Sequence, residues 1–293
     1  MNWFSGFEAV VRTDVPLREY TWYRLGGPAR WFCEPRDEDE LVGLLGRLRR
    51  DRIPWRLLGQ GANVLVHDEG FDGAVIHLAG EHFSRVNIDG TRVEAGAAAD
   101  FPKLITKTLK HNLAGLEAFA GVPGSVGGLV RMNAGGRYGE IRQFVESVRV
   151  LTPENEIVVL PAQRVGFAYR HTDLADHVVL AATFVLQNGA DESAKLRYRE
   201  IFTEKQQNQP PLAARSAGCV FKNPPGHAAG RLLDDTGLKG TRIGGAEIST
   251  RHANFILAYD DATASDVINL IELARQTVKQ KTGVELQTEV EIW

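Results

Sequence analysis

Residues 121–139 read GVPGSVGGLVRMNAGGRYG, with seven of the chain's thirty glycines inside nineteen residues and two arginines as the only charges. That density of glycine is too high for a regular helix or strand. Glycine lets a backbone N–H approach an anion closely. It also allows the positive φ angles that turn successive N–H groups toward one point. The stretch is therefore expected to cradle the phosphates and ring of a bound cofactor. A surface turn is the plainer alternative, but Val122, Val126, Leu129, Val130 and Met132 interleave the glycines and argue for burial.

Upstream lies a second glycine loop. Trp31, Phe32 and Cys33 read as a buried strand stopped by Pro35. Residues 37–50 read as a helix, with Leu41, Leu44, Leu45 and Leu48 at helical spacing, acids in the first turn and arginines in the last. A short strand at 54–58 then runs into Gly59-Gln60-Gly61-Ala62-Asn63 and a second strand from Val64. This βαβ-like opening puts a glycine loop at a strand's C-terminal end, where ligands of α/β folds often sit. It is not a dinucleotide fingerprint of the Rossmann type: the third glycine is missing and the loop leads into a strand, not a helix.

Between the loops, short extended runs alternate with Asp-Gly turns, and Asp100 caps a helix over 101–111. Downstream, 145–151 and 157–160 read as a hairpin, 178–186 as an apolar strand and 192–207 as a polar helix ahead of Pro210-Pro211. The segment 217–224 reads as a short strand closed by a turn. Thr263 to Asp266 opens a long helix that Gly283 ends, and 284–293 reads as a final strand.

The chain has 293 residues, enough for two domains, and an ordinary globular composition of 43% hydrophobic and 24% charged residues. A net charge of −3 argues against nucleic acid as an obligate partner. Two cysteines, Cys33 and Cys219, make no disulfide framework, and no apolar run approaches the ~20 residues of a membrane span. The start of the chain lacks a charged region followed by an apolar run. A cytoplasmic, soluble protein with no membrane partner is expected. The eight histidines are scattered without ligand spacing, so no metal site is expected.

Taken in order, the motifs resemble one family. They are Thr21-x-x-Arg24-x-Gly26-Gly27, Leu58-Gly59-x-Gly61-x-Asn63-x-Leu65-Val66, Gly121-x-Pro123-Gly124-x-Val126-Gly127-Gly128 with Met132-Asn133-Ala134-Gly135, and Tyr169-Arg170. Gly218-Cys219-x-Phe221-Lys222-Asn223-Pro224, Ile243-Gly244-Gly245-Ala246 with His252-x-Asn254-Phe255, and Thr288-Glu289-Val290 complete the set. The set is similar to the UDP-N-acetylenolpyruvoylglucosamine reductase (MurB) family, from about residue 18 to 293. The short interval between Arg170 and Cys219 resembles the form of the family that lacks an extra substrate loop.

The resemblance implies an α+β chain with an FAD-binding fold of the vanillyl-alcohol oxidase (PCMH) type and a C-terminal α+β substrate-binding domain. The expected boundaries are 1–79 and 80–190 for two FAD-binding subdomains and 191–293 for the substrate domain, its last strand returning to the active site. It implies FAD and NADPH as cofactors, a UDP-sugar as the small-molecule substrate, and a monomer. The implied reaction is reduction of UDP-N-acetylglucosamine enolpyruvate to UDP-N-acetylmuramate, a peptidoglycan precursor. FAD contacts are expected from Gly59, Gln60, Gly61, Ala62, Asn63 and Val64. The second set is Gly121, Val122, Pro123, Gly124, Ser125, Gly127 and Gly128, with Asn133 and Gly135. Gln60 and Ala62 stand where glycine and serine are common in the family.

Reduction of an enol ether conjugated to a carboxylate needs a hydride, stabilisation of the charge that develops on the carboxylate side, and a proton for the adjacent carbon. A flavin supplies the hydride, since no side chain can. Arg170 suits the charge, because a guanidinium stays protonated and holds a carboxylate at two points. Glu289 is a second candidate there, as a proton-bearing acid or as an orienter of Arg170, with Glu291 as its near rival on the same strand and face. The family's usual proton donor is a serine, and this chain has Cys219 in its place. A thiol with a pKa of about 8.5 is mostly protonated near neutrality and is a far stronger acid than a hydroxyl. Tyr169, Lys222, Asn223 and Lys239 are the expected substrate contacts.

Plainer readings stand beside these: Cys219 as a small buried apolar residue, Cys33 as core, and Arg170 as a surface arginine. An FAD-dependent alcohol oxidase of the same fold class would share the glycine loops but not the motif at 218–224 or the Glu289 ending. An inactive flavin- or nucleotide-sugar-binding protein is the non-enzymatic alternative, against which Arg170, Cys219 and Glu289 argue.

Overall fold

The helix Glu38–Arg50 shows how local sequence becomes structure here. Asp37 accepts from the N–H of Glu40 and caps the helix, and the arginines of the last turn meet the negative end of the dipole. Leu41, Leu44, Leu45 and Leu48 fall on one face and are fully buried, each stabilising by about 1.5–3 kcal/mol. The structure, a computed structural model, describes residues 3–189 and 192–293. The chain divides into two compact units: Met1–Thr13, Trp31–Gln60 and Gly73–Lys205 form the first, and Asp14–Arg30, Gly61–Asp72 and Gln206–Trp293 the second.

A four-stranded sheet has the order Val11–Pro16, Pro28–Cys33, Phe71–His77, Trp55–Leu58. Its last two strands run parallel, with Trp55 opposite Ala74 and Leu58 opposite His77, whereas the strand expected directly after the glycine loop, Val64–Leu65, lies in another sheet and pairs with Glu291–Ile292. In the first unit, a five-stranded antiparallel sheet has the order Ile157–Pro161, Val145–Leu151, Val178–Val185, Arg92–Gly96, Val86–Asp89. The expected hairpin at 145–160 is its edge, with Leu151 opposite Ile157. Val178–Val185 is central and five of its residues in a row are buried, as its apolar run demands. The helix Phe101–Lys110 is capped by Asp100, which accepts from the N–H of Lys103 at 2.8 Å.

The second unit is built around the helix Ala264–Thr282, whose Val267, Leu270, Ile271, Ala274 and Val278 are buried. Its start is capped twice. Thr263 and Asp266 form the expected capping box, and Asp68 accepts from the N–H groups of Ala264 and Ser265 at 2.8 and 2.9 Å. Asp68 thereby anchors the segment Gly61–Asp72 to this helix. The helix packs on a three-stranded antiparallel sheet of Arg242–Ile243, Ala246–Ile248 and Ile256–Ala258. Helix and strand together make the chain α+β.

Three expectations need correction. Residues 121–139 do contain regular structure: a helix at Val126–Arg131 and a small ladder pairing Gly135–Gly136 with Gly139–Glu140. Ser125 caps that helix, and burial of Val126, Leu129 and Val130 outweighs the weak propensity of its two glycines. The final strand is only Glu291–Ile292, because residues 284–290 pair elsewhere through a single bridge between Thr288 and Phe221. The segment 217–224 is for the same reason an irregular connection. A strand at Val11–Pro16 lies where the sequence showed only mixed polarity, since it alternates too little to signal.

Candidate functional site

In the first unit three of the expected cofactor residues line one cavity of about 280 Å³. It is lined by Gly59, Gln60 and Ser125 together with His77, Leu78, Ala79, Gly80, Ser84 and Ala98. A smaller space of about 70 Å³ shares Gly59, Leu78, Ala98 and Ser125 with it and adds Gly127, Gly128 and Arg131. The glycines let two loops touch. A Cβ on Gly59 would lie 2.6 Å from the Ser125 hydroxyl oxygen, and one on Gly127 would lie 2.9 Å from the Ala97 Cβ.

Hydrogen bonds lock this arrangement. Gln60 Nε2 donates to Asp100 Oδ2 at 3.2 Å, and Asp100 pairs with Ser125 across an isolated bridge. Phe101 N donates to Gly124 O at 3.0 Å, Val126 N to Ala99 O at 3.0 Å, and Gly127 N to Ala97 O at 2.9 Å. Gly128 N reaches Ser125 Oγ at 3.4 Å. Gly127 and Gly128 therefore spend their N–H groups inside the protein, and their service to a ligand is close approach. Asn133 is likewise fully buried and donates to Glu140 Oε2 at 3.1 Å and Ala168 O at 2.8 Å. Its side chain shapes the loop.

The Ala168 end of that bond leads to Arg170. Arg170 Nη2 donates to Gly135 O at 2.5 Å, and its guanidinium lies 5.0 Å from the centroid of the exposed Tyr169 ring. Its backbone has φ 52°, a left-handed value costly for a residue with a side chain to hold and often found at functional sites. The Tyr169–Arg170 pair is thus attached directly to the end of the glycine stretch.

In the second unit, Glu289 N donates to Val220 O at 2.7 Å, beside Cys219. Asn254 fixes the same segment from its other edge. Val220 N donates to Asn254 O at 2.8 Å, and the buried Asn254 carboxamide exchanges both of its bonds with the backbone of Phe221, at 2.9 and 2.8 Å. Asn63 Nδ2 donates to Glu289 O at 3.0 Å. Val64 and Leu65 pair in parallel with Glu291 and Ile292. Gly61 O accepts from Trp22 N at 3.1 Å. The structure so brings Asn63, Val64, Cys219 and Glu289 to one place, with Ala62 beside them in sequence. Glu289 is half-buried and Glu291 is exposed.

The expected substrate residues divide. Lys222 is half-buried, and its N–H donates to Gln287 O at 2.9 Å. Asn223 Oδ1 accepts from Ala229 N at 2.9 Å and so starts the helix Ala229–Asp235. Lys239 is paired with Asp234 at 2.6 Å, and an anion would have to compete with that carboxylate. Cys33 is buried in the core, and burial pushes its thiol up to about 12. Val122, Pro123 and Gly121 lie outside the lining of the two spaces just described.

Sequence reasoning missed His77, Ser84 and Ala98. His77 ends a strand whose apolar run hid it, and its Nδ1 lies 3.0 Å from Glu34 Oε1. It missed Asn254 as the residue that holds the Cys219 segment, although the spacing His252-x-Asn254-Phe255 had marked the position. Among the described residues there is no group of three or more His, Cys, Asp or Glu side chains placed to hold a metal. Among them, no helix is long and apolar enough to cross a membrane.

Residues 29–161 match the model of a family described as FAD binding domain. Residues 209–293 match that of the UDP-N-acetylenolpyruvoylglucosamine reductase, C-terminal domain. The UDP-N-acetylenolpyruvoylglucosamine reductase of Caldanaerobacter subterraneus subsp. tengcongensis is 40% identical, covering 97% of this chain and 94% of that protein. The protein of the same name from Limosilactobacillus reuteri is 38% identical, covering 100% and 97%. The crystal structure of the UDP-N-acetylenolpyruvylglucosamine reductase of Thermus caldophilus superposes with a TM-score of 0.84. It is 37% identical, with 97% of this chain and 99% of that one covered.

Proposed function

Because the chain belongs to the UDP-N-acetylenolpyruvoylglucosamine reductase family, we propose that it reduces UDP-N-acetylglucosamine enolpyruvate to UDP-N-acetylmuramate. It does so as an FAD enzyme fed by NADPH, acting as a monomer in the cytoplasm. The observation that carries this reading is the main-chain bond from Glu289 to Val220, next to Cys219. The segment of the proposed proton donor, Cys219, and that of Glu289, proposed to serve the developing charge, are joined although about seventy positions separate them.

The cavity suits FAD. Its lining holds Gly59 and Gln60 of one glycine loop and Ser125 of the other, with Ser84 and His77 and no carboxylate to repel a pyrophosphate. A Cβ on Gly59 would lie 2.6 Å from the Ser125 hydroxyl oxygen, so the two loops could not approach as they do. Gly59, Gln60, Ser125 and the loop around Gly121, Val122, Pro123 and Gly124 would hold the cofactor there. Gly127, Gly128, Asn133 and Gly135 support that loop, and Gly61, Ala62, Asn63 and Val64 continue the first one. Residues 1–79 and 80–190 then carry the cofactor and 191–293 the substrate. When bound, FAD would supply the hydride chemistry that links NADPH to the enolpyruvyl double bond.

This chain's residues do the rest. Arg170 holds the substrate carboxylate and stabilises the negative charge that grows there, its direction set by the Gly135 carbonyl and the Tyr169 ring. The Cys219 thiol gives its proton to the carbon next to the one that receives the hydride. Glu289 hydrogen-bonds the developing enolate or orients Arg170. Lys222, Asn223 and Lys239 contact the diphosphate or carboxylate, with Tyr169 at the substrate's edge.

The test is an anaerobic pair of half-reactions. NADPH should bleach the bound flavin, and the enolpyruvyl UDP-sugar should then restore its colour while the muramate product appears. Oxygen-dependent turnover of an alcohol with no response to the UDP-sugar would sink the proposal.

A further inference from the structure

We propose that Asn63 is a positioning residue for the proton-delivering half of the reaction, acting through Glu289, and is more than a member of the cofactor loop. This rests on the roles proposed above for Cys219 and Glu289. The geometry points the Asn63 carboxamide at the chain's last segment. Asn63 Nδ2 donates to Glu289 O at 3.0 Å. Its own backbone carbonyl accepts from Glu291 N at 3.0 Å. From there the ladder of Val64 with Glu291 and Leu65 with Ile292 continues.

Glu289 is held on its other side as well, because its N–H donates to Val220 O at 2.7 Å. Val220 is in turn fixed by Asn254. Both main-chain polar groups of Glu289 are therefore bonded, one to the glycine loop and one to the Cys219 segment. Glu289 itself lies outside the regular strand Glu291–Ile292. These two bonds help to set where its Cα sits. A carboxyl group inherits the position of its Cα, and an error of about 1 Å at a catalytic group can cost about 100-fold in rate. An asparagine suits this position because it is long enough to reach across and carries a donor, which alanine and aspartate lack.

The experiment uses Asn63→Asp, which keeps the shape and removes the donor, with Asn63→Ser as a second variant in case the first folds poorly. Each variant and the wild type are loaded with saturating FAD and compared at equal flavin content, with the rate of flavin reduction by NADPH measured on each as the internal reference. Reoxidation by the enolpyruvyl UDP-sugar should slow by about 10-fold or more. Hydrogen exchange at the Glu289 amide, read on the same protein without turnover, should speed up by a similar factor. Slowing of flavin reduction as large as that of reoxidation, or unchanged exchange at Glu289, would each overturn the inference. If the wild-type flavin is not reoxidised by the UDP-sugar at all, the reductase reading falls and this inference falls with it. Equal slowing in a variant of an active wild type removes only the inference.

Discussion

Lys205 Nζ donates to the carbonyl oxygen of Ala120 at 2.7 Å, one residue ahead of Gly121. The preceding residue, Glu204, accepts from Arg137 Nη1 at 3.1 Å and from the Tyr138 hydroxyl. Two consecutive residues of the helix Glu192–Asn208 therefore hold both ends of the glycine-rich stretch. Lys205→Met and Glu204→Gln should each loosen that stretch. Flavin affinity, measured by fluorescence quenching on titration, should weaken about 5-fold, and the melting temperature of flavin-free protein should barely move. Unchanged affinity in both variants would show that the helix does not shape the cofactor loop.

Gly61 and Gly218 both have positive φ, at 65° and 73°, yet they should respond differently to alanine. A Cβ on Gly61 would lie 2.0 Å from Tyr20 O, so backbone must move, while one on Gly218 meets nothing within 4 Å. Gly61→Ala should cost about 3 kcal/mol or more, from left-handed strain and overpacking together. Gly218→Ala should cost about 1 kcal/mol from strain alone. Denaturant melts of the two variants decide it.

Cys219 is half-exposed and Cys33 is fully buried. Iodoacetamide at pH 8 should therefore label Cys219, with Cys33 left unmodified on peptide mapping. Labelling should abolish reoxidation by the UDP-sugar. Cys219→Ser should keep substantial turnover and Cys219→Ala should lose about 100-fold or more. A fully active alanine variant would remove the cysteine from the mechanism.

Alkali should weaken the fold. Burial raises the Cys33 thiol from its ordinary 9.0 to about 12, and burial likewise raises the Tyr23 hydroxyl. Each folded group keeps a proton that the unfolded chain releases. The stability they contribute is complete below about pH 9 and falls as pH rises toward 12. For Cys33 the loss reaches about 4 kcal/mol at the top of that window. Wild type should lose more melting temperature between pH 8 and pH 10.5 than Cys33→Ala does. Equal losses would mean that Cys33 does not titrate with unfolding.

Much of this was legible in the residues. The leucine spacing of Glu38–Arg50, the Asp100 cap and the Thr263 capping box are local signals, and each element stands where its signal lies. The sites of Gly59, Ser125 and Cys219 were legible because glycine and cysteine leave compositional marks. What escaped was set by partners far away in sequence. The apolar run around His77 showed a strand but not which side chain meets a cavity. Asn254 and Asn133 look like ordinary polar residues until the backbone they satisfy is known. The helix inside the glycine stretch formed against propensity because tertiary burial of Val126, Leu129 and Val130 decided it.

The clamp on Glu289 also bears on how the protein is made. Asn63 and Glu289 are 226 positions apart, and Asp68 waits for Ala264 across 196. A contact of such span must close a long loop before it returns any stability. During synthesis at roughly 5–20 residues per second, the segment from Gly61 to Asp72 emerges many seconds before the residues it pairs with. Until then its glycine loop and the strand at Val64 have no finished partner. A nascent chain stalled before residue 289 would hold all of the first unit's sequence and none of the completed clamp on Glu289. Chaperone dependence should therefore concentrate on the late stage of translation.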